Sequence, residues 1–229
     1  MQQKYYVPMN RKIFIDSTNI KEIKKWNTRN ICYGVTTNQK LFVSEKTQNF
    51  KKTIIEICQV APVPVSVELT THQSPSLMVQ EAKKFAFWHK NIVVKVPMTT
   101  DGMGLEVLYK LKKLHIKTNA TIMVTFEQLL LACLAGATYV SIFFNRSKDA
   151  GYDPIEIIKR TRNFIDTGNF KTQIIAGSIR KPQDVGDAFA AGADIVTITP
   201  KVLDEMLSES MTQKTIEEFD SAWKEFEGK

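Results

Sequence analysis

Asn91-Ile92-Val93-Val94-Lys95-Val96-Pro97 is the stretch whose reading decides the fold. Four β-branched residues surround one lysine, and a proline closes the run. β-Branched residues favour a strand, and unbroken apolarity fits a strand covered on both faces, as in a parallel sheet. A lysine is out of place there. Burial strips water from an ammonium and favours the neutral amine, a nucleophile toward a carbonyl carbon. The competing reading is a strand-end lysine whose stem lies on apolar surface while its head reaches water.

Outward from that strand the chain reads as alternating strands and helices. Upstream, Ile13-Phe14-Ile15 is a short strand ending at Asp16, and Asn19 caps a helix over Ile20 to Trp26. Tyr33-Gly34-Val35 leads into Thr36-Thr37-Asn38, and a helical stretch runs from Gln39 through Val60. Val63 to Leu69 is a third strand, and Ser74-Pro75 opens the next helix. Downstream come a helix over Leu105 to Leu114, a strand over Ile116 to Ile122, a helix over Phe126 to Ala135 and a strand over Tyr139 to Phe144. Asp153-Pro154 opens a helix that Gly168 stops, Gln173 to Ala176 is a seventh strand, and Pro182 opens a helix ended by Gly192. Asp194 to Ile198 is the eighth strand, with closing helices over Val202 to Leu207 and Ile216 to Phe226. Two turns echo each other, Leu134-Ala135-Gly136-Ala137 and Ala190-Ala191-Gly192-Ala193, each a helix end with a glycine able to take positive φ before a strand.

Eight strands alternating with helices predict an α/β fold, a closed (β/α)8 TIM barrel with a C-terminal helix. The 229 residues form one domain, with residues 1–11 as an N-terminal extension. The alternative is an open doubly wound sheet, but no G-x-G-x-x-G follows a predicted strand, which weakens its dinucleotide-binding form.

Composition narrows the function classes. The formal charge is +7, but the lysines are scattered among acids on predicted helices, with no basic patch interleaved with aromatics. That reads as solvated helix surface and argues against nucleic acid as partner. Cys32, Cys58 and Cys133 lie far apart, which fits a reducing cytoplasm and no cysteine zinc site. His72, His89 and His115 lack metal-ligand spacing, so no metal is expected. The longest apolar run is too short for a membrane span, and the start has no secretory h-region.

In a barrel, chemistry gathers at the carboxyl ends of the strands. Those ends hold Asp16, Thr36-Thr37-Asn38, Glu68, Lys95, Asn119 with Thr121, Ser141 with Arg146, and Ser178 with Arg180. Each has a plainer reading: Asp16 and Asn38 as helix caps, the threonines as strand residues, Glu68 and the arginines as surface charges. Their joint placement at one end favours chemistry. A buried lysine forms an imine with a ketone, a nearby carboxylate moves a proton, and arginines after the sixth and seventh strands suit a phosphate.

These residues resemble the transaldolases and their close relatives, the fructose-6-phosphate aldolases. The resemblance runs from Ile13 to about Trp223. It rests on Phe14-Ile15-Asp16-Ser17, Gly34-Val35-Thr36-Thr37-Asn38, Val65-Ser66-Val67-Glu68, Val94-Lys95-Val96-Pro97, Thr118-Asn119-Ala120-Thr121, Asn145-Arg146 and Gly177-Ser178-Ile179-Arg180, in the family order. It implies Lys95 as the Schiff-base lysine, Asp16 as the acid/base of carbon–carbon cleavage, and Glu68 with Thr121 handling the water of imine formation and hydrolysis. Asn38 and Asn119 are implied to hold substrate hydroxyls, Thr36 and Ser141 to line the pocket, and Arg146, Ser178 and Arg180 to bind a sugar phosphate. The implied reaction moves a dihydroxyacetone unit between ketose and aldose phosphates with no cofactor. Aldolases that release free dihydroxyacetone carry a glutamine on the third strand and a tyrosine on the sixth. Here Ser66 with neighbouring Glu68, and Phe143, resemble transaldolase. Gln39 and Ile142 stand where the family usually has proline.

Two other hypotheses remain: an aldolase releasing dihydroxyacetone, and a non-catalytic barrel that binds sugar phosphate or nucleic acid. The second has no use for a nucleophile. Phe219, Trp223 and Phe226 form one apolar stripe on the last helix. Such a stripe commonly packs on its own barrel and equally suits a neighbouring subunit; a homo-oligomer is the expectation.

Overall fold

The computed structural model describes residues 11–228. The expected extension over residues 1–11 falls, but for Arg11, outside the described residues. Arg11 donates to the backbone oxygens of Phe189 and, at 2.7 Å, Ala193.

Eight parallel strands close on themselves in sequence order. They are β1 (Lys12–Asp16), β2 (Val35–Thr36), β3 (Val65–Glu68), β4 (Ile92–Pro97), β5 (Thr118–Met123), β6 (Tyr139–Phe143), β7 (Gln173–Gly177) and β8 (Ile195–Ile198). Around them run α1 (Ile20–Thr28), α2 (Gln39–Ser44), α3 (Phe50–Val60), α4 (Pro75–Trp88), α5 (Met103–Lys113), α6 (Phe126–Ala135), α7 (Phe144–Asp149), α8 (Pro154–Thr167), α9 (Pro182–Ala191), α10 (Pro200–Leu207) and α11 (Ser210–Glu227). The fold is a (β/α)8 barrel with a C-terminal helix, as the alternation of elements predicts, and the closed strand order rules out the open doubly wound sheet.

All six residues of β4 are buried, so its apolar run does face protein on both sides. Successive side chains of a strand point to opposite faces. One set meets the helices in the large outer core; the other fills the barrel interior, where Phe14, Val93, Tyr139, Ile175 and Ile195 form a cluster of their own. Gly34 makes room for that cluster, since a Cβ there would overlap the Phe14 ring. Two residues further along the same strands come Asp16, Lys95, Ser141, Gly177 and Thr197. The interior thus passes from an apolar layer to a polar one toward the carboxyl ends.

Local chemistry sets the helix boundaries. Asn19 accepts from the backbone N–H of Lys21 and Glu22, and Ser74 from that of Leu77. Gly136 and Gly192 end α6 and α9 at φ 89° and 114°, the left-handed conformation their echoing turns predict.

Three segments differ from expectation. The helical stretch over Gln39 to Val60 is two helices. Glu45 caps α2, Lys46 takes φ 54°, and Asn49 starts α3 by accepting from Lys52 N–H. The sixth strand stops at Phe143, and Phe144 begins the short α7. The last helix starts at Ser210 and buries none of its residues. Phe219, Trp223 and Phe226 are 71%, 59% and 68% exposed, so their stripe does not pack on its own barrel.

Candidate active site

A cavity of about 160 Å³ opens at the carboxyl ends of the strands, lined by Asp16, Thr36, Asn38, Lys95, Thr121, Ser141, Phe143, Arg146, Gly177, Ser178 and Thr197. A second cavity of about 420 Å³ adjoins it and shares Asn38, Lys95, Phe143 and Arg146, adding Glu68, Gln39 and Ile122 among its walls.

Lys95 is 5% exposed. Its Nζ lies 3.0 Å from Glu68 Oε2 and donates to the Thr37 carbonyl oxygen at 3.3 Å. Register brings the pair together, because Glu68 and Lys95 are Cα partners across β3 and β4. The desolvated lysine of the sequence reading therefore sits against a buried carboxylate, and its head does not reach open water. Glu68 is not the solvent-facing strand residue of the plainer reading, being 8% exposed.

Asp16 ends β1 and accepts from Thr36 Oγ1 at 2.6 Å, and Thr36 Oγ1 lies 2.6 Å from Thr197 Oγ1. Burial pushes the Asp16 carboxyl above its ordinary 3.8. The Lys95 charge and the Thr36 hydrogen bond pull it back, while Glu45 and Glu68 add to the rise. The protonated carboxyl is thus favoured beyond the usual range, as suits a group that gives and takes a proton. Glu45 holds the neighbouring turn, accepting from Ser17 Oγ at 2.8 Å and Thr18 N–H at 2.6 Å.

Asn38 is both a helix cap and a residue of the cavity wall, capping α2 by accepting from Leu41 N–H at 3.1 Å. Gln39, where the family resemblance leads one to expect proline, donates from Nε2 to the Leu69 carbonyl oxygen at 2.9 Å and ties α2 to the end of β3. Asn119 is fully buried behind the cavity wall, accepting from Ser141 Oγ at 2.7 Å and donating to Ser66 Oγ at 3.2 Å. It reaches the cavity through Ser141. Thr121 lines it directly, and among the described residues its buried Oγ1 has no hydrogen-bond partner.

The two arginines differ. Arg146 lines the cavity with its guanidinium 5.2 Å from the centre of the Phe143 ring. Arg180 does not line it. Its side chain is 54% exposed and pairs through both terminal nitrogens with Asp149, one contact being 3.0 Å. Ser178 joins Arg146 at the wall with φ 59°, and its carbonyl oxygen accepts from Asn145 N–H at 3.4 Å. Behind both, Asp184 accepts from Asn145 Nδ2 at 2.7 Å and Lys148 Nζ at 2.8 Å, joining α7 to α9.

Thr197 lines the cavity without having been singled out in the sequence, and Gly177, quoted only as the start of the Gly177-Ser178-Ile179-Arg180 motif, lines it as well. Period-two alternation from Ile195 and Ile175 carried the signal, since both sit two residues on from the interior apolar layer.

With this geometry in place, a family model described as Transaldolase/Fructose-6-phosphate aldolase matches residues 13–228. The chain is 44% identical over 216 residues to a "Probable transaldolase" of Caldicellulosiruptor saccharolyticus, covering 93% of this chain and 96% of the relative. It is 42% identical over 216 residues to one of Lactiplantibacillus plantarum, covering 94% and 98%. It is 40% identical over 220 residues to one of Brachyspira hyodysenteriae, covering 95% and 100%. A barrel with a buried lysine and a raised aspartate in one cavity, matched along nearly its whole length, belongs to the transaldolase/fructose-6-phosphate aldolase family.

Proposed function

We propose that this protein is a transaldolase that moves a dihydroxyacetone unit between sugar phosphates through an imine on Lys95. The overall exchange is sedoheptulose 7-phosphate with glyceraldehyde 3-phosphate, giving erythrose 4-phosphate and fructose 6-phosphate. The observation that carries the reading is Lys95, 5% exposed and 3.0 Å from Glu68, opening on the cavity that also holds Asp16.

In this reading Glu68 takes a proton from the Lys95 ammonium as the ketose arrives, and the free amine adds to the ketose carbonyl. Loss of water leaves the imine, whose cationic nitrogen is the electron sink for cleavage. Glu68 and Thr121 hold that water, and the unpartnered Thr121 Oγ1 suits it. Asp16 takes the proton of the C4 hydroxyl as the C3–C4 bond breaks, releasing an aldose phosphate and leaving an enamine on Lys95. The second aldose phosphate is attacked by that enamine, and Asp16 returns the proton to the new hydroxyl. Hydrolysis of the resulting imine frees the product ketose and restores the amine. Thr36, Asn38 and Ser141 face substrate hydroxyls, with Asn119 orienting Ser141. Arg146 and Ser178 take the phosphate, and Arg180 joins them by exchanging Asp149 for it. No cofactor enters, because the lysine supplies the sink.

The alternative within the family is an aldolase that protonates the enamine and releases free dihydroxyacetone. Phe143 favours transfer, since a phenyl ring at the cavity wall has no proton to give. A non-catalytic sugar-phosphate barrel leaves the Lys95, Glu68 and Asp16 arrangement without a task. We place the enzyme in the cytoplasm, in keeping with three free, buried cysteines whose thiols burial pushes up to about 11. We read it as a single-domain enzyme and a homo-oligomer, with the exposed stripe of α11 as the surface to be covered.

Borohydride reduction with fructose 6-phosphate, followed by peptide mapping, tests the imine. The expected adduct is on Lys95 alone; an adduct on another lysine ends the assignment. Coupled assays on the same preparation compare transfer of the dihydroxyacetone unit from fructose 6-phosphate to erythrose 4-phosphate with its release as free dihydroxyacetone. Release of dihydroxyacetone faster than transfer makes the aldolase reading the correct one.

A further inference from the structure

Six non-glycine residues among those described have positive φ: Asn30, Lys46, His115, Ile122, Asn169 and Ser178. Four lie in turns outside strands and helices, and Ser178 follows β7 at the cavity wall. Ile122 is different in kind. It is β-branched, at φ 62°, and lies within a strand. A branched side chain in the left-handed region collides with its own backbone and persists only where the surroundings over-determine it.

The register shows what that conformation does. Ala120 pairs with Val140 and Met123 with Ile142, so two residues of β5 stand opposite Ser141 alone. This is a β-bulge, which shifts the alternation of the strand by one. Ala120 and Met123, three apart, both pack in the outer core, where regular alternation would place Ala120 and Ile122. Ile122 is displaced to the mouth, 41% exposed, in the wall of the second cavity. Immediately before it is Thr121, fully buried, lining the first cavity, with its Oγ1 unpartnered among the described residues. Its backbone oxygen is meanwhile held by Met98 N–H at 2.9 Å.

Packing does not account for a strained isoleucine, because two fifths of it faces solvent and a glycine would take the same backbone without strain. We propose that Ile122 is a positioning residue: a side chain here, from its Cβ outward, narrows the conformations of the bulge and so fixes the direction of the Thr121 hydroxyl. The glycine that would relieve the strain would also let Thr121 swing. This inference rests on the proposed role of Thr121 in the water steps.

The test compares Ile122→Gly with Ile122→Ala, each alone and combined with Thr121→Ala. Both remove the branch; alanine keeps the Cβ that restricts the backbone, and only glycine relieves φ. Ile122→Gly is expected to melt about 2–4 °C above Ile122→Ala while its kcat for transfer falls about tenfold further with KM unchanged. In the Thr121→Ala background the two Ile122 variants should have the same kcat, because the group they position is gone. Equal kcat for the two variants in the Thr121 background of the wild type, a glycine variant less stable than the alanine one, or a difference that survives Thr121→Ala overturns the assignment. Wild-type protein that traps an imine with fructose 6-phosphate while Ile122→Gly keeps full kcat overturns the Ile122 role alone. Wild-type protein that traps none overturns the proposed function, and this role with it.

Discussion

Replacing Lys95 by methionine tests the energetics at the centre of the site separately from its chemistry. Both members of the Lys95–Glu68 pair are less than a tenth exposed, at 3.0 Å. With an effective dielectric constant of about 20 their attraction is about 5.5 kcal/mol, offset by desolvation of two ions. Lys95→Met removes the attraction and leaves the desolvated Glu68 charge behind, a loss of about 3–5 kcal/mol for a broken buried pair. For a chain of this length that lowers the melting temperature by about 6–20 °C, short of unfolding the protein at room temperature. Lys95→Met/Glu68→Gln removes both charges and should regain most of the loss, since replacing a buried pair whole is often close to neutral. Glu68→Gln alone should cost less than Lys95→Met. The remaining Lys95 charge still has Asp16 as an electrostatic partner and the Thr37 carbonyl oxygen as acceptor. Urea unfolding of the four proteins at pH 7 gives a double-mutant cycle with an expected coupling of about 3 kcal/mol. A Lys95→Met protein as stable as wild type, or a double variant no more stable than the single, would show that the two groups do not form a buried ion pair and would refute the reasoning.

Asp16→Asn should be more stable than wild type at pH 7. The folded-state pKa of Asp16 is raised above 3.8, so its contribution is present at low pH and lost as pH rises through the folded value. The stability gap between variant and wild type should widen upward from about pH 3.8, and a gap that is constant with pH contradicts the raised carboxyl. Arg146→Ala should weaken a phosphorylated ketose about tenfold or more in apparent affinity and leave dihydroxyacetone little changed, as one charge-assisted contact is lost. Arg180→Ala should do less, because its guanidinium must first leave Asp149; equal losses in the two variants would place both arginines on the phosphate alike.

Much of the fold was legible along the chain because its signals are local. The β-branched run at Ile92 to Val96, the caps Asn19 and Ser74, and the glycine stops Gly136 and Gly192 act within a few residues of themselves. Eight such strand and helix signals in alternation leave few ways to fold other than a barrel. The site was legible for a related reason. A polar residue at the carboxyl end of an otherwise apolar strand has a cavity as its natural destination, as Asp16, Lys95, Thr121 and Ser141 do.

Tertiary structure alone decided how those side chains pair. Glu68 meets Lys95 through the register of β3 with β4, and Thr36 bridges Asp16 and Thr197 only because the barrel closes β8 onto β1. Arg180 turns to Asp149, thirty-one positions away in sequence, and the α11 stripe is left exposed. The bulge at Ile122 belongs to this class as well. There β5 runs in unbroken register with β4 but shifts by one against β6, and a strand's own residues carry no record of the register a neighbour imposes.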